Sequence, residues 1–196
     1  MDTLERQLLF LEGQARAQTD DLLQENKFEM DEFDRAAEFQ NLYERIEHQL
    51  PRFFRNSFLV SLWAVYESAI IEIANYLRDQ KGRTLGISDI RGNFLDQAKK
   101  YFDHVLEFPL CADNQVWERL KMLNVLRNAI AHSNGRMTAI QKESRKKIEG
   151  WERSNTGILS YYGDIMVSED FLRETYLTVN KALNDLLQRV RSTTSE

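Results

Sequence analysis

Pro51 opens the segment that most constrains this chain, a stretch carrying Phe53, Phe54, Phe58, Leu59, Val60, Leu62, Trp63, Val65, Tyr66, Ile70, Ile71, Ile73, Ala74 and Leu77. Proline is tolerated in the first turn of a helix and disfavoured later, so residues 52–78 read as one helix of about seven turns. A helix that is apolar almost all round is normally surrounded by others. A bilayer would also accept such a helix, but Glu67 and Glu72 stand near the middle of its most apolar part, where charge is costly. The expectation is the buried core helix of a soluble domain, with no membrane partner.

The rest of the chain is consistent with an all-α fold. Two prolines and eight glycines among 196 residues are too few for a turn-dense β architecture. The length suits one domain, or one domain with a helical appendage. Residues 1–50 form the expected appendage. Leu4, Leu8, Leu11, Ala15, Leu22, Leu23, Phe33, Ala37, Leu42 and Ile46 recur there at amphipathic helical spacing, with a break between Glu25 and Met30. Residues 51–196 form the main helical domain. Gly82 and Gly86 end its first helix, and Ser88 or Asp89 starts a second that runs to His104, before Pro109. Asp113 or Asn114 caps a third, which Ser133-Asn134-Gly135 stops. A charged helix is expected over residues 137–151. One small β-hairpin follows, with Ile158 to Tyr162 and Asp164 to Val167 flanking Gly163. Ser168-Glu169-Asp170-Phe171 then opens a last amphipathic helix.

Charge and cysteine usage narrow the function classes. A net charge of −5 and a pI near 5.4 oppose broad adhesion to nucleic acid, which needs many cations on phosphates. A local basic site is still allowed. Arg136, Lys142, Arg145, Lys146 and Lys147 cluster in a short span, as an RNA-binding edge would require, although Glu143 and Glu149 also make it an ordinary exposed helix face. Cys111 is the only cysteine, so no intrachain disulfide or cysteine-based zinc site is expected, and a cytoplasmic setting fits. The start of the chain, with mixed charges, reads as no signal peptide. The acidic run from Glu29 to Asp34 lacks the glycine and alternating oxygen ligands of a calcium loop. His48 and His104 stand in unrelated segments, and neither is expected to serve as a ligand. No metal or cofactor is expected.

Arg127, Asn128 and His132 carry the chemistry. Asn128 and His132 form an i, i+4 pair, while Arg127 and His132 are about 140° apart around the helix. Arg offers planar donors to phosphate oxygens and His exchanges a proton near neutral pH, a pair suited to an RNA phosphodiester. Read alone, the same residues are helix-end structure, with Arg127 paired to an acid and His132 capping the last carbonyls.

The stretch Arg127-Asn128-Ala129-Ile130-Ala131-His132 resembles the Arg-x(4–6)-His signature of the HEPN superfamily, with a polar residue directly after the arginine. The run from Ser61 to Glu72 resembles the first core helix of its RiboL-PSP-like branch, and the order of motif helix, hairpin and last helix is similar over residues 52–190. The resemblance implies a HEPN-like helical bundle and a homodimeric, metal-independent endoribonuclease leaving 2′,3′-cyclic phosphate. In it His132 is the acid–base group, Arg127 stabilises phosphoryl charge, Asn128 orients, and Glu67 (or Glu72) is a proton partner. It also implies a toxin or phage-defence effector held in check by an antitoxin or other partner protein. A non-catalytic helical module, binding RNA or a partner protein, is the competing expectation.

Overall fold

The computed structural model describes residues 48–194, together with scattered positions before them. The amphipathic extension expected over residues 1–50, and the acidic run from Glu29 to Asp34, therefore lie almost wholly outside the described residues. What is described is mostly helical, with one two-stranded antiparallel hairpin before the last helix.

Helix α1 (Leu50–Gln80) starts with Pro51 in its first turn, where the missing N–H costs nothing. Next comes a short 3₁₀ turn, Ile87–Asp89. Helix α2 (Phe94–Lys100) begins only after it, capped by Asn93, whose side chain accepts from the Asp96 N–H at 3.2 Å. The single helix expected from Ser88 or Asp89 to His104 is thus divided. Gly92 at φ 135° breaks it, and the backbone widens to a π turn over Tyr101–Val105. Helix α3 (Asn114–Ser133) is capped by Asp113. Its other end closes through Asn134 at φ 50° and Gly135 at φ 71°, the Gly135 N–H returning to the Ala129 carbonyl at 3.2 Å. Helix α4 (Lys142–Arg153) begins five residues later than expected. The Met137 N–H is drawn to the Gly163 carbonyl at 2.8 Å, so residues Met137–Ala139 form a 3₁₀ turn instead. Strands β1 (Ile158–Tyr161) and β2 (Asp164–Val167) pair with Tyr161 opposite Asp164. Helix α5 (Glu169–Thr194) follows, its first turn capped by Ser168 Oγ, which accepts from the Phe171 N–H at 3.1 Å.

Helices α1, α3 and α5 pack against one another and supply the centre of the core: Leu59, Trp63, Tyr66 and Ile70 on α1, Leu120, Leu123 and Leu126 on α3, and Phe171, Val179 and Leu186 on α5. Arg52, at the start of α1, bonds to Asn134 at the end of α3. Tyr66, sixteen residues beyond the start of α1, lies near enough to Cys111, just before α3, for that thiol to add to the burial that raises its phenol. The two helices therefore run in opposite directions.

The expectation that α1 is covered on all sides needs correcting. By length and composition α1 could cross a membrane, and 33% of its most apolar window is buried. Among the described residues its neighbours pack on one side only. Phe53 is 65% exposed, Val65 61% and Tyr76 47%, on a face interrupted by exposed Ser57, Ser61, Ser68 and Asn75.

Gly157 sets the approach of β1 to α5. It adopts φ 84°, and a Cβ there would lie 2.5 Å from Ser168 Oγ and 2.9 Å from Phe171 Cβ. Both the backbone and the contact exclude a side chain. Gly157→Ala is expected to destabilise by more than about 1 kcal/mol, read as a lower urea midpoint at unchanged slope. A midpoint equal to that of the unmodified protein would contradict this packing.

Candidate functional site

Helix α3 carries the residues that the sequence singles out. At its start, Asp113 Oδ1 accepts from the Gln115 and Val116 N–H groups at 2.8 and 3.2 Å, while Oδ2 receives Lys181 Nζ of α5 at 2.6 Å. The Lys181 bond and the two amides hold the Asp113 carboxyl below the usual carboxylate range, and the same pairing holds Lys181 above the usual lysine range.

At the other end, His132 is exposed in the last helical turn. Arg127 and Asn128 are half-buried and engaged with each other: Arg127 Nη1 donates to Asn128 Oδ1 at 2.9 Å, and Asn128 Nδ2 donates to Asn124 Oδ1 at 3.4 Å. The Arg127 Nε is buried with no partner, an unmet donor of the kind that is expensive to leave unsatisfied. So among the described residues Arg127 pairs with no acid, and the bond to Asn128 takes one edge of its guanidinium. Helical rotation separates Arg127 from His132 within one chain.

Glu67 is not brought to this end. Its Oε2 accepts from Trp63 Nε1 at 2.9 Å, and it adjoins Tyr66, which neighbours Cys111 at the opposite end of α3. A helix of 20 residues spans about 30 Å, far beyond the reach of a side chain. Glu72 lies further along α1 and is exposed.

Of the basic cluster, Arg136 lies closest in sequence to the end of α3, exposed and bridged through its backbone to Asp164 of β2. Lys142, Lys146 and Lys147 are exposed on α4. Arg145 is half-buried, 3.7 Å from Glu149.

Residues not singled out for this role from the sequence surround the end of α3. Arg52 Nη2 donates to the Asn134 carbonyl at 2.6 Å, and its Nη1 lies 2.8 Å from Asp164 Oδ2. Asn56, buried, donates to the Ile165 carbonyl at 3.1 Å, and Arg55 donates to that of Val167 at 3.3 Å. Ile165 in turn donates its N–H to Gly135 at 2.8 Å. His48 is not unrelated to the site: its ring stacks on Tyr161 at 3.7 Å between centroids. The signal available in the sequence was Arg52, Arg55 and Asn56 at i, i+3, i+4, a polar face in an otherwise apolar helix.

A cavity of about 270 Å³ lined by Cys111, Ala112, Asp113, Ala182, Asp185, Gln188 and Arg189 lies at the far end of α3 and takes no part in this arrangement. Burial raises the Cys111 thiol, which leaves it a poor nucleophile.

No family model, no curated protein and no solved structure matches the chain.

The Asp113–Lys181 pair makes the seating of α3 pH-dependent. A carboxyl held down in the folded state contributes stability above its ordinary value of 3.8 and loses it as pH falls through the lower folded value. A lysine held up contributes below 10.5 and loses it above. Asp113→Ala is expected to lower Tm at neutral pH, with the difference from the unmodified protein closing in acid below the carboxylate range. A difference that is constant down to strong acid would rule out the charged pair.

Proposed function

We propose that this chain is a HEPN-type endoribonuclease, metal-independent and working as a homodimer, of the toxin or phage-defence kind and restrained by a partner protein in the cytoplasm. One observation carries the reading: His132 is exposed at the end of α3, with the Arg127–Asn128 pair on the same helix and exposed Arg136 just beyond. The order of long core helix, motif helix, hairpin and last helix supports a HEPN-like bundle. The uncovered face of α1, with Phe53, Val65 and Tyr76, supports self-association.

In this reading His132 removes the proton of a ribose 2′-hydroxyl. The 2′-oxygen attacks phosphorus, and the P–O5′ bond breaks with its electron pair going to the leaving oxygen, which is protonated. The products are a 2′,3′-cyclic phosphate and a 5′-hydroxyl, with no oxidant or metal consumed. Arg127 stabilises the charge that builds on the phosphoryl oxygens, and Asn128 holds the guanidinium plane through its Oδ1. A second chain brings one chain's Arg127 to the other's His132, uniting groups that helical rotation separates within one chain. Glu67, held by Trp63 near the opposite end of α3, has no part in it.

A second reading is a non-catalytic helical module that binds a partner protein or RNA. It is favoured by the engagement of Arg127 with Asn128, since a group that serves only structure is expected to be paired off in this way.

Cleavage of mixed RNA in excess EDTA, with end-group analysis, separates the two. The unmodified protein is expected to leave cyclic phosphate ends. His132→Ala should lose about 10²–10⁴-fold in rate and Arg127→Ala about 10²–10³-fold. No cleavage of several RNAs by folded dimer, or equal cleavage by His132→Ala, would favour the module.

A further inference from the structure

Strands β1 and β2 are joined by the two residues Tyr162 and Gly163, at φ 49° and 82°. Positive φ at both positions defines the tight hairpin turn that matches strand twist, and its first position belongs to Asn, Asp or Gly because a larger side chain is strained there. This chain places a tyrosine at that position and leaves it 83% exposed. Turn geometry disfavours the choice and the ring is left largely in solvent, a departure from a local rule of the kind found at functional sites.

The ring is not isolated. Tyr162 meets Tyr161 edge to face at 4.6 Å between centroids, and Tyr161 is stacked on His48 at 3.7 Å with 23° between planes. The array lies at the candidate site. The Gly163 carbonyl accepts from the Met137 N–H at 2.8 Å, and Asp164 bridges Arg136, so the turn is pinned a few residues beyond His132. Among the described residues Arg136 has no ion pair, and Arg55 bonds only to a backbone carbonyl. An exposed ring on an aromatic support, with exposed Arg136 on the segment bridged to the foot of the turn, is the arrangement that holds an unpaired base and its phosphate.

We propose that the hairpin tip is a base-stacking platform for single-stranded RNA. Tyr162 takes the face of one unpaired base, Tyr161 and His48 back it, and Arg136 holds the adjoining phosphate, which sets the strand beside His132. This deepens the ribonuclease reading and rests on it for the identity of the ligand. Stacking reads an aromatic face and not a hydrogen-bond pattern, so the platform favours unpaired over duplex RNA without strong sequence choice.

The test is fluorescence anisotropy with a short, fully 2′-O-methylated single-stranded RNA, which binds without being cut, on the full chain and its variants. Tyr162→Asn should raise Tm, because Asn suits the turn, and weaken binding by about tenfold, while Tyr162→Phe keeps the affinity. Arg136→Ala should weaken binding mainly at low salt and reduce the salt slope by about one. Binding by the unmodified protein that Tyr162→Asn leaves unchanged overturns the platform and leaves the ribonuclease reading standing. Binding that depends on Tyr162, in a protein that cleaves no RNA, supports the platform and removes the nuclease. No binding to single-stranded RNA overturns both.

Discussion

The guanidinium of Arg52 ties together three elements that come from distant parts of the chain. It sits in the first turns of α1, donates to the Asn134 carbonyl that closes α3, and pairs with Asp164 at the start of β2. Asn56 and Arg55, on the same face, fix the hairpin through the carbonyls of Ile165 and Val167, and Gly135 extends the ladder from the other side. The pairing with Asp164 is partly shielded, with side chains 21% and 29% exposed, so it is worth more than an open surface pair and costs less desolvation than a fully buried one. The end of α3, the hairpin tip and the start of α1 are therefore one structural unit, and His132, Arg136 and Tyr162 keep their relation because that unit holds.

Long periodic elements were legible in the sequence, and elements decided by tertiary contact were not. Helix α1 reads from Pro51 and its apolar run, α3 from Asp113 and the Asn134-Gly135 stop, and α5 from Ser168 and the spacing of Phe171, Val179, Leu186 and Val190, because each signal is local. The hairpin reads from Gly163 for the same reason. The start of α4 does not, since Met137 is captured by Gly163 some 26 positions away, an interaction without a local signature. The division at Gly92 and Asn93 is masked in the sequence because Ser88 and Asp89 offer an equally good capping pattern a few residues earlier.

The site was legible to a similar degree. Arg127, Asn128 and His132 form a short pattern on one helix, so their shared element could be read. Whether Glu67 joins them depends on where α1 crosses α3, and Arg52 on the Asn134 carbonyl puts the start of α1, not its middle, at that end. His48 looked unconnected because its partner, Tyr161, is more than a hundred residues distant. The uncovered side of α1 is a related case. Apolar composition says that a helix must be sheltered, but only packing says on how many sides, and the serines at 57, 61 and 68 were the sign that one side differs.

Helix α3 is clamped at both ends by different physics, and this bears on what its last turn can do. At its start a charged cap and a lysine from α5 oppose fraying through hydrogen bonds that charge strengthens. At its end the restraint acts on the turn beyond the helix, through Asn134 and Gly135, rather than on the helical side chains themselves. His132 is therefore fixed at its backbone, and its exposed ring makes no hydrogen bond among the described residues, a combination that suits the proton exchange proposed for it. Arg127, one and a half turns earlier, is in the opposite condition, with Asn128 holding one edge of its guanidinium and its Nε unmet. A phosphate oxygen that reached the remaining N–H groups of this guanidinium would add a charged acceptor to the single neutral one that Asn128 supplies, a stronger bond that the free state cannot make. The half-engaged arginine is thus a poor structural tie, and under the proposed function its pairing with Asn128 weighs less against a ligand than burial alone would imply.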